Sequence, residues 1–198
     1  MSGGSIGSIV EGHGEVEALP TLLRRLVPYG SACESPHIRR PVRIPRSRLV
    51  RPGELERAVD LVGRTVAPHG AVLILLDSDD DCAARLGPHL LERAREARPD
   101  LVVAVVLAVR EFESWFLAAA ESLQGQRGLS KDVASPDDPE CIRGAKEWLS
   151  ARMLHGRRYT EVLDQPALAA QFDMNVAARR SLSFARFVRE VHRLLRAA

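Results

Sequence analysis

Lysine is nearly missing from this chain. Of its 28 basic residues only Lys131 and Lys146 are lysine, and the rest are arginine. Cysteine is as sparse. Cys33, Cys82 and Cys141 are an odd, widely spaced three with no CxxC pair, which argues against a disulfide framework or a cysteine zinc site and fits a reducing cytoplasm. No apolar run approaches the roughly 20 residues of a membrane-crossing helix. The opening "MSGGSIGSIVEG" has neither the basic start nor the long apolar centre of an export signal, so a cytoplasmic protein with no membrane partner is expected. Other chemistries drop out with the motifs they need. The histidines show no HxH or HExxH spacing, no Gly-Lys-Ser/Thr follows "EGHGEVE", and no serine sits in a G-x-S-x-G elbow. Zinc hydrolase, P-loop and serine-nucleophile chemistry are therefore unsupported.

What is present suits one compact α/β domain: 198 residues, 45% of them hydrophobic. A short β-rich run, Ile6 to Val10, passes through Glu11 and Gly12 into a helix marked by Leu19, Leu22, Leu23 and Leu26 at i, i+3, i+4, i+7. Gly12 and Gly14 at that junction are expected to serve a tight reversal with positive φ. Residues 37–44 are a candidate strand that Pro36, Pro41 and Pro45 demote to an edge or a loop. "RPGELERAVDLVGRTVA" reads as a helix, and "AVLILLD" (71–77) as a strand buried on both faces. "AARLGPHLLERAREARP" reads as a helix kinked or restarted near Gly87-Pro88. "LVVAVVLAV" (101–109) is a second buried strand, and "REFESWFLAAAESL" follows as a helix. Strand alternating with helix predicts a parallel sheet covered by helices on both faces over residues 1–122. A polar loop and a helical C-terminal extension, 123–198, pack on it; the stripe Phe184, Phe187, Val188, Val191 and Leu195 marks the last helix.

The chemistry gathers where these strands end. The first runs into Glu11, the second into "DSDDD" (77–81), and the third reaches Glu111 and Glu113 just past Arg110. In a parallel sheet all three acidic tips face one edge, where ligands bind. Carboxylates converging there repel unless a hard divalent cation such as Mg²⁺ or Mn²⁺ sits among them. Asp77 and Asp79 have DxD spacing, which in extended backbone puts both side chains on one face. Asp81, Glu111 and Glu113 are further candidate ligands, with pairing to Arg110 the other fate for Glu111. Glu11 is the natural acid or base. Taken singly each acid has a plainer role: Asp80 and Asp81 suit a solvated turn, while Glu11, Glu15 and Glu17 suit a helix start. His13 is an exposed loop residue or a contact to phosphate. "IRRPVRIPRSRLVR" carries Arg39, Arg40, Arg43, Arg46, Arg48 and Arg51 without an acid. Such a run is either a phosphate-tracking rim for nucleic acid or a set of partners for acids elsewhere.

Together "IVEGHGEVEALP" and "LILLDSDD" resemble the Toprim domain of topoisomerases, primases and overcoming-lysogenization-defect nucleases. "VREFESWFLA", "KEWL", "YTEVLDQ" and "SLSFARF" resemble the bacterial DUF4276 group of Toprim-like proteins, over nearly the whole chain. The resemblance implies Glu11 as acid/base or metal-linked carboxylate, Asp77 and Asp79 as principal Mg²⁺ ligands, and Lys146 as an accessory of the extension. It implies a metal-dependent nuclease cutting DNA or RNA, in bacterial defence loci that also encode a partner ATPase. Two alternatives stay open: a non-catalytic Toprim-derived module acting on that ATPase, and hydrolysis of a smaller phosphate substrate. Trp115 and Phe116 are expected to be core anchors. Oligomeric state has no signal in the sequence.

Overall fold

A computed structural model describes residues 4–27 and 36–198; Cys33 lies outside them. Its sheet has five strands, all parallel. β1 (Ser5–Val10), β4 (Gly70–Asp77) and β5 (Val102–Ala108) form its body in the order β1-β4-β5. The proline-bearing segment does lie at an edge, reduced to two-residue strands β2 (His37–Ile38) and β3 (Val42–Arg43) that both pair with β1. Pro41 has no N–H to donate and falls between them.

Side chains alternate across the strands and feed two cores. Ile9, Val72, Ile74, Leu76, Val103, Val105 and Leu107 face α3 (Glu54–Val66) and α4 (Ala83–Ala97). Ile6, Val10, Leu73, Leu75, Ala104 and Val106 face the other layer, under α1 (His13–Leu26) and α9 (Leu182–Ala197). With every residue of β4 buried, the continuous apolar run is explained by the double cover. The remaining helices are α2 (Arg46–Leu49), α5 (Ser114–Leu117), α6 (Ala145–Ser150), α7 (Glu161–Ala169) and α8 (Met174–Arg180). No helix among the described residues is long and apolar enough to cross a membrane.

Two helical expectations need correction. α4 does not restart at Gly87-Pro88 but runs through as one helix with Pro88 inside it. The helix expected over "REFESWFLAAAESL" shrinks to Ser114–Leu117 with a 3₁₀ turn at Ala120–Leu123. Phe112, Trp115, Phe116, Leu117 and Ala118 are all buried, so this segment has no polar face to present. Chain and core follow packing there rather than helical period.

The extension shares the second core. Phe112, Trp115, Phe116, Phe172, Phe184 and Phe187 form one aromatic cluster with neighbouring rings 4.8–5.6 Å apart. Trp115 and Phe116 are core anchors, as their sequence context predicts. Ser183, at the start of α9, accepts hydrogen bonds from Trp115 Nε1 at 2.8 Å and from the Val109 N–H at 3.3 Å. The last helix thereby grips the loop that follows β5. Phe184→Ala should cost about 3–5 kcal/mol in a denaturant titration, whereas Leu61→Ala, on an exposed position of α3, should fall within about 0.5 kcal/mol of the parent.

Candidate functional site

Sheet register brings the first two acids together. Val10 pairs with Leu75, so Glu11 emerges level with the end of β4, and its Oε2 accepts the backbone N–H of Asp77 at 3.3 Å. Asp77 is buried, with Oδ1 accepting from the Phe112 N–H at 2.8 Å. Glu11 Oε1 and Asp77 Oδ2 accept no hydrogen bond from the described residues.

The DxD expectation fails one residue later. Extended alternation stops at Asp77, because Asp79 adopts a left-handed backbone with φ of 49°. Its N–H is bonded to the Arg110 carbonyl, and Arg110 itself sits at φ of 63° with its N–H on Ser78 Oγ. Two non-glycine residues in that region, locked against each other at the rim of a sheet, mark strain of the kind that accompanies function. The Asp79 side chain is consequently exposed and turned to Arg46, at 3.2 Å. Asp81 is ion-paired to the same guanidinium. Asp80 pairs with Arg110 and, at 2.8 Å, with Arg143.

Acids of the third strand are met from the extension. Glu111 does not pair with Arg110; it accepts the N–H groups of Gly144 and Ala145 at 3.0 and 3.1 Å. Glu113 is fully buried and accepts from Tyr159 Oη at 2.8 Å and Gln165 Nε2 at 3.3 Å, while its Oε2 has no hydrogen-bond partner. Lys146, on α6, lies 3.8, 3.5 and 3.7 Å from Glu111, Glu113 and Glu161. Burial opposes its charge, but Glu113, Asp77, Glu161 and Glu111 outweigh that and hold its pKa above the ordinary value.

Two members of this cluster were not foreseen. Glu15 does what a helix-start acid does, accepting the Gly12 N–H, yet it is also buried beside the other acids. Burial first, then the charges of Glu11, Glu113 and Glu161, push it up to about 7. Glu161, on α7, accepts the Gly14 N–H at 3.2 Å. A polar pair i, i+4 on α7, Glu161 and Gln165, was the available signal. Burial likewise raises Glu113 to about 7 against the pull of Lys146 and Tyr159, and it raises Glu11 and Asp77, the latter with Glu15, Glu113 and Glu11 adding to the effect.

The glycines of "EGHGE" serve a different need from the one expected. Gly12 has φ of −94°, and Gly14 lies inside α1; neither is left-handed. Both are required by crowding. A Cβ on Gly12 would lie 2.7 Å from Glu161 Oε1 and 2.9 Å from Glu15 Oε2, and one on Gly14 would run into Gln165 Oε1 and stand 2.8 Å from the Glu161 carbonyl. Glycine here lets α7 carry its acid against the start of α1. His13 is exposed, on the wall of an open groove of about 370 Å³ with Val16, Glu17, Arg40, Pro41, Arg43 and Val162.

The arginine run divides. Arg40 pairs with Glu17 at 2.9 Å, Arg46 with Asp79 and Asp81, and Arg48 with Glu54. Arg39, Arg43 and Arg51 have no carboxylate partner among the described residues, and Arg43 donates to the Glu11 carbonyl at 3.3 Å. Among the described residues no three acidic, histidine or cysteine side chains converge in ready metal-holding geometry. What the structure does assemble is an oxygen-only donor pair, half-buried Glu11 and buried Asp77, with a Glu113 carboxylate oxygen that accepts no hydrogen bond and lies 3.5 Å from Lys146 Nζ. That chemistry fits a hard divalent cation, with Asp79 one ion-pair exchange away. Cys82 and Cys141 are exposed free thiols.

Two outcomes follow from this packing. Gly14→Ala should destabilise the fold by about 1–3 kcal/mol, opposite in sign to alanine's helix preference of about 1 kcal/mol, as read by chemical denaturation. Glu15 and Glu113 keep their protons to about pH 7 in the folded protein but lose them near the ordinary 4.5 when unfolded. Their contribution to stability is therefore complete below pH 4.5 and lost as pH rises through about 7. Glu15→Gln should melt with a shallower fall between those limits than the parent.

Residues 10–192 match the family model described as "Domain of unknown function (DUF4276)". No curated protein and no solved structure matches the chain. With nearly all of its 198 residues covered, the chain belongs to the DUF4276 family.

Proposed function

We propose that this acidic edge is a Toprim-type centre for Mg²⁺- or Mn²⁺-dependent phosphoryl transfer, acting as a nuclease on DNA or RNA. The observation that carries the reading is the Glu11 carboxylate on the Asp77 backbone N–H across adjacent parallel strands. Both acids are partly or fully withdrawn from water and driven toward their neutral forms, first by burial and then by neighbouring acids. Carboxylates are kept in such a place at a cost in stability, and a divalent cation offsets it. Glu11 and Asp77 would hold the ion, joined by Asp79 once it leaves Arg46. Bound there, the ion would make a water nucleophilic near neutral pH and stabilise charge on a leaving oxygen.

The chain's own groups supply the rest. Glu15, whose Oε2 accepts the Gly12 N–H and whose pKa burial raises to about 7, would take up or give back a proton near neutral pH. Lys146 keeps the inner acids tolerable to one another and fixes Glu111, Glu113 and Glu161 in place. Arg39, Arg43 and Arg51, the members of the run with no carboxylate partner among the described residues, would meet a phosphate backbone with affinity that falls steeply with salt.

One observation favours a second reading. Asp79 and Asp81 are engaged by Arg46, and among the described residues no three donors stand in metal-holding geometry. A module of Toprim descent that regulates a partner ATPase without cleaving anything would be built that way. Incubation with single- and double-stranded DNA and RNA separates the two. The nuclease reading expects Mg²⁺- or Mn²⁺-dependent degradation that falls to background in folded Asp77→Ala and Asp79→Ala proteins. No turnover with any cation, alongside metal-independent binding to the ATPase, would replace it with the second.

A further inference from the structure

We propose that Arg46 and a divalent ion compete for Asp79, and that Asp81 serves as the anchor of Arg46 rather than as a ligand of the ion. The inference rests on the metal reading above and assigns roles to two residues which that reading leaves open.

Arg46 opens α2, directly after β3, whose pairing with the end of β1 sets the helix beside the acidic edge. Its side chain is only 19% exposed, and its guanidinium spans two acids: Nη1 to Asp79 Oδ2 at 3.2 Å and Nη2 to Asp81 Oδ2. Its Nε is buried without a hydrogen-bond partner, so the grip comes from the two terminal nitrogens. The Arg46 charge also reaches Glu11, where it opposes the charge of Asp79. A single positive group thus acts on both Glu11 and Asp79, through its charge on the first and an ion pair with the second.

The surrounding backbone explains why exchange, rather than rearrangement, is the available move. The Asp79 N–H is fixed to the Arg110 carbonyl, and the Asp81 N–H to the Ser78 carbonyl at 2.9 Å. The turn is held, and side chains alone can reorient. A cation drawn to Asp79 would meet the positive guanidinium already held at Oδ2, so each weakens the other's hold on that carboxylate. Asp81 is 62% exposed, contacts neither Glu11 nor Asp77, and has Arg46 as its ion-pair partner among the described residues. Arg46 thus meets Asp79 and Asp81 at the outer side, while Lys146 meets Glu111, Glu113 and Glu161 at the inner side.

Competition gives the two residues opposite electrostatic expectations and the same observable one. Removing the positive Arg46 favours a cation through simple charge. Removing the negative Asp81 disfavours it, unless its task is to hold Arg46 in the way. Tighter metal binding in an Asp81 variant therefore has no explanation in net charge.

The test is calorimetric titration of Mn²⁺ into the full chain as parent, Arg46→Gln, Asp81→Asn and Asp77→Asn, with thermal melts to establish that each is folded. Arg46→Gln and Asp81→Asn should each bind about two- to fivefold more tightly, the range of partly exposed ion pairs, and Asp77→Asn should lose binding. Should Arg46→Gln fail to fold, Asp81→Asn carries the decision alone. Binding that is unchanged or weaker in Asp81→Asn overturns the competition and leaves the metal centre standing. No Mn²⁺ binding by the parent or any variant overturns both.

Discussion

Mutual repulsion among buried carboxylates is the constraint around which the rest of this molecule is arranged. Glu11, Glu15, Asp77, Glu113 and Glu161 meet at the ends of parallel strands, where three of them are all but cut off from water. In such surroundings a carboxylate can be neutralised by a proton, a fixed cation or a mobile one. The structure employs the first two. Burial raises the pKa values of Glu11, Glu15, Asp77 and Glu113, and Lys146 stands 3.5–3.8 Å from Glu111, Glu113 and Glu161. In a chain whose only other lysine is Lys131, this lysine is a compact point charge on a flexible stem, able to sit among several acids without a planar fork's demands.

That arrangement explains why the C-terminal helices share the sheet's core. Lys146, Tyr159, Glu161 and Gln165 all come from beyond residue 140, and each touches an acid or a backbone group of the strand-end region. They can be placed only if the extension docks rigidly. The aromatic cluster joining Phe112, Trp115 and Phe116 to Phe172, Phe184 and Phe187 supplies the docking, and Ser183 pins Trp115 and Val109 from the start of the last helix. Packing and electrostatics are thus one problem. The apolar contacts hold in place the charges that make the acidic edge tolerable.

Much of this was legible in the residues because it follows from period. Continuous apolar runs specified β4 and β5, the leucine spacing specified α1, and parallel strands ending in acid specified which edge collects charge. What period could not convey lies in irregular backbone. Asp79 follows Asp77 at strand spacing, but its own left-handed backbone turns it outward. Gly12 and Gly14 invite a conformational explanation, yet their role is set by α7, about 150 residues away, which no local pattern encodes. Residues 124–144 have almost no regular structure, so nothing in their sequence could place Lys146 among the acids.

The arginine-rich segment illustrates the same limit and carries a consequence for binding. Read linearly it is a run of six positive charges without an acid. In three dimensions three of the six are matched by Glu17, Asp79 with Asp81, and Glu54. The rim is therefore a lattice of pairs rather than an open positive stripe, and a phosphate approaching it meets guanidinium groups already engaged. Exposed pairs of this kind are worth little individually, so a polyanion can displace a carboxylate where a single small anion gains nothing by doing so. Under the nucleic-acid reading proposed above, selectivity for a chain of phosphates would arise from the number of weak exchanges made together, and from Arg39, Arg43 and Arg51 beside them.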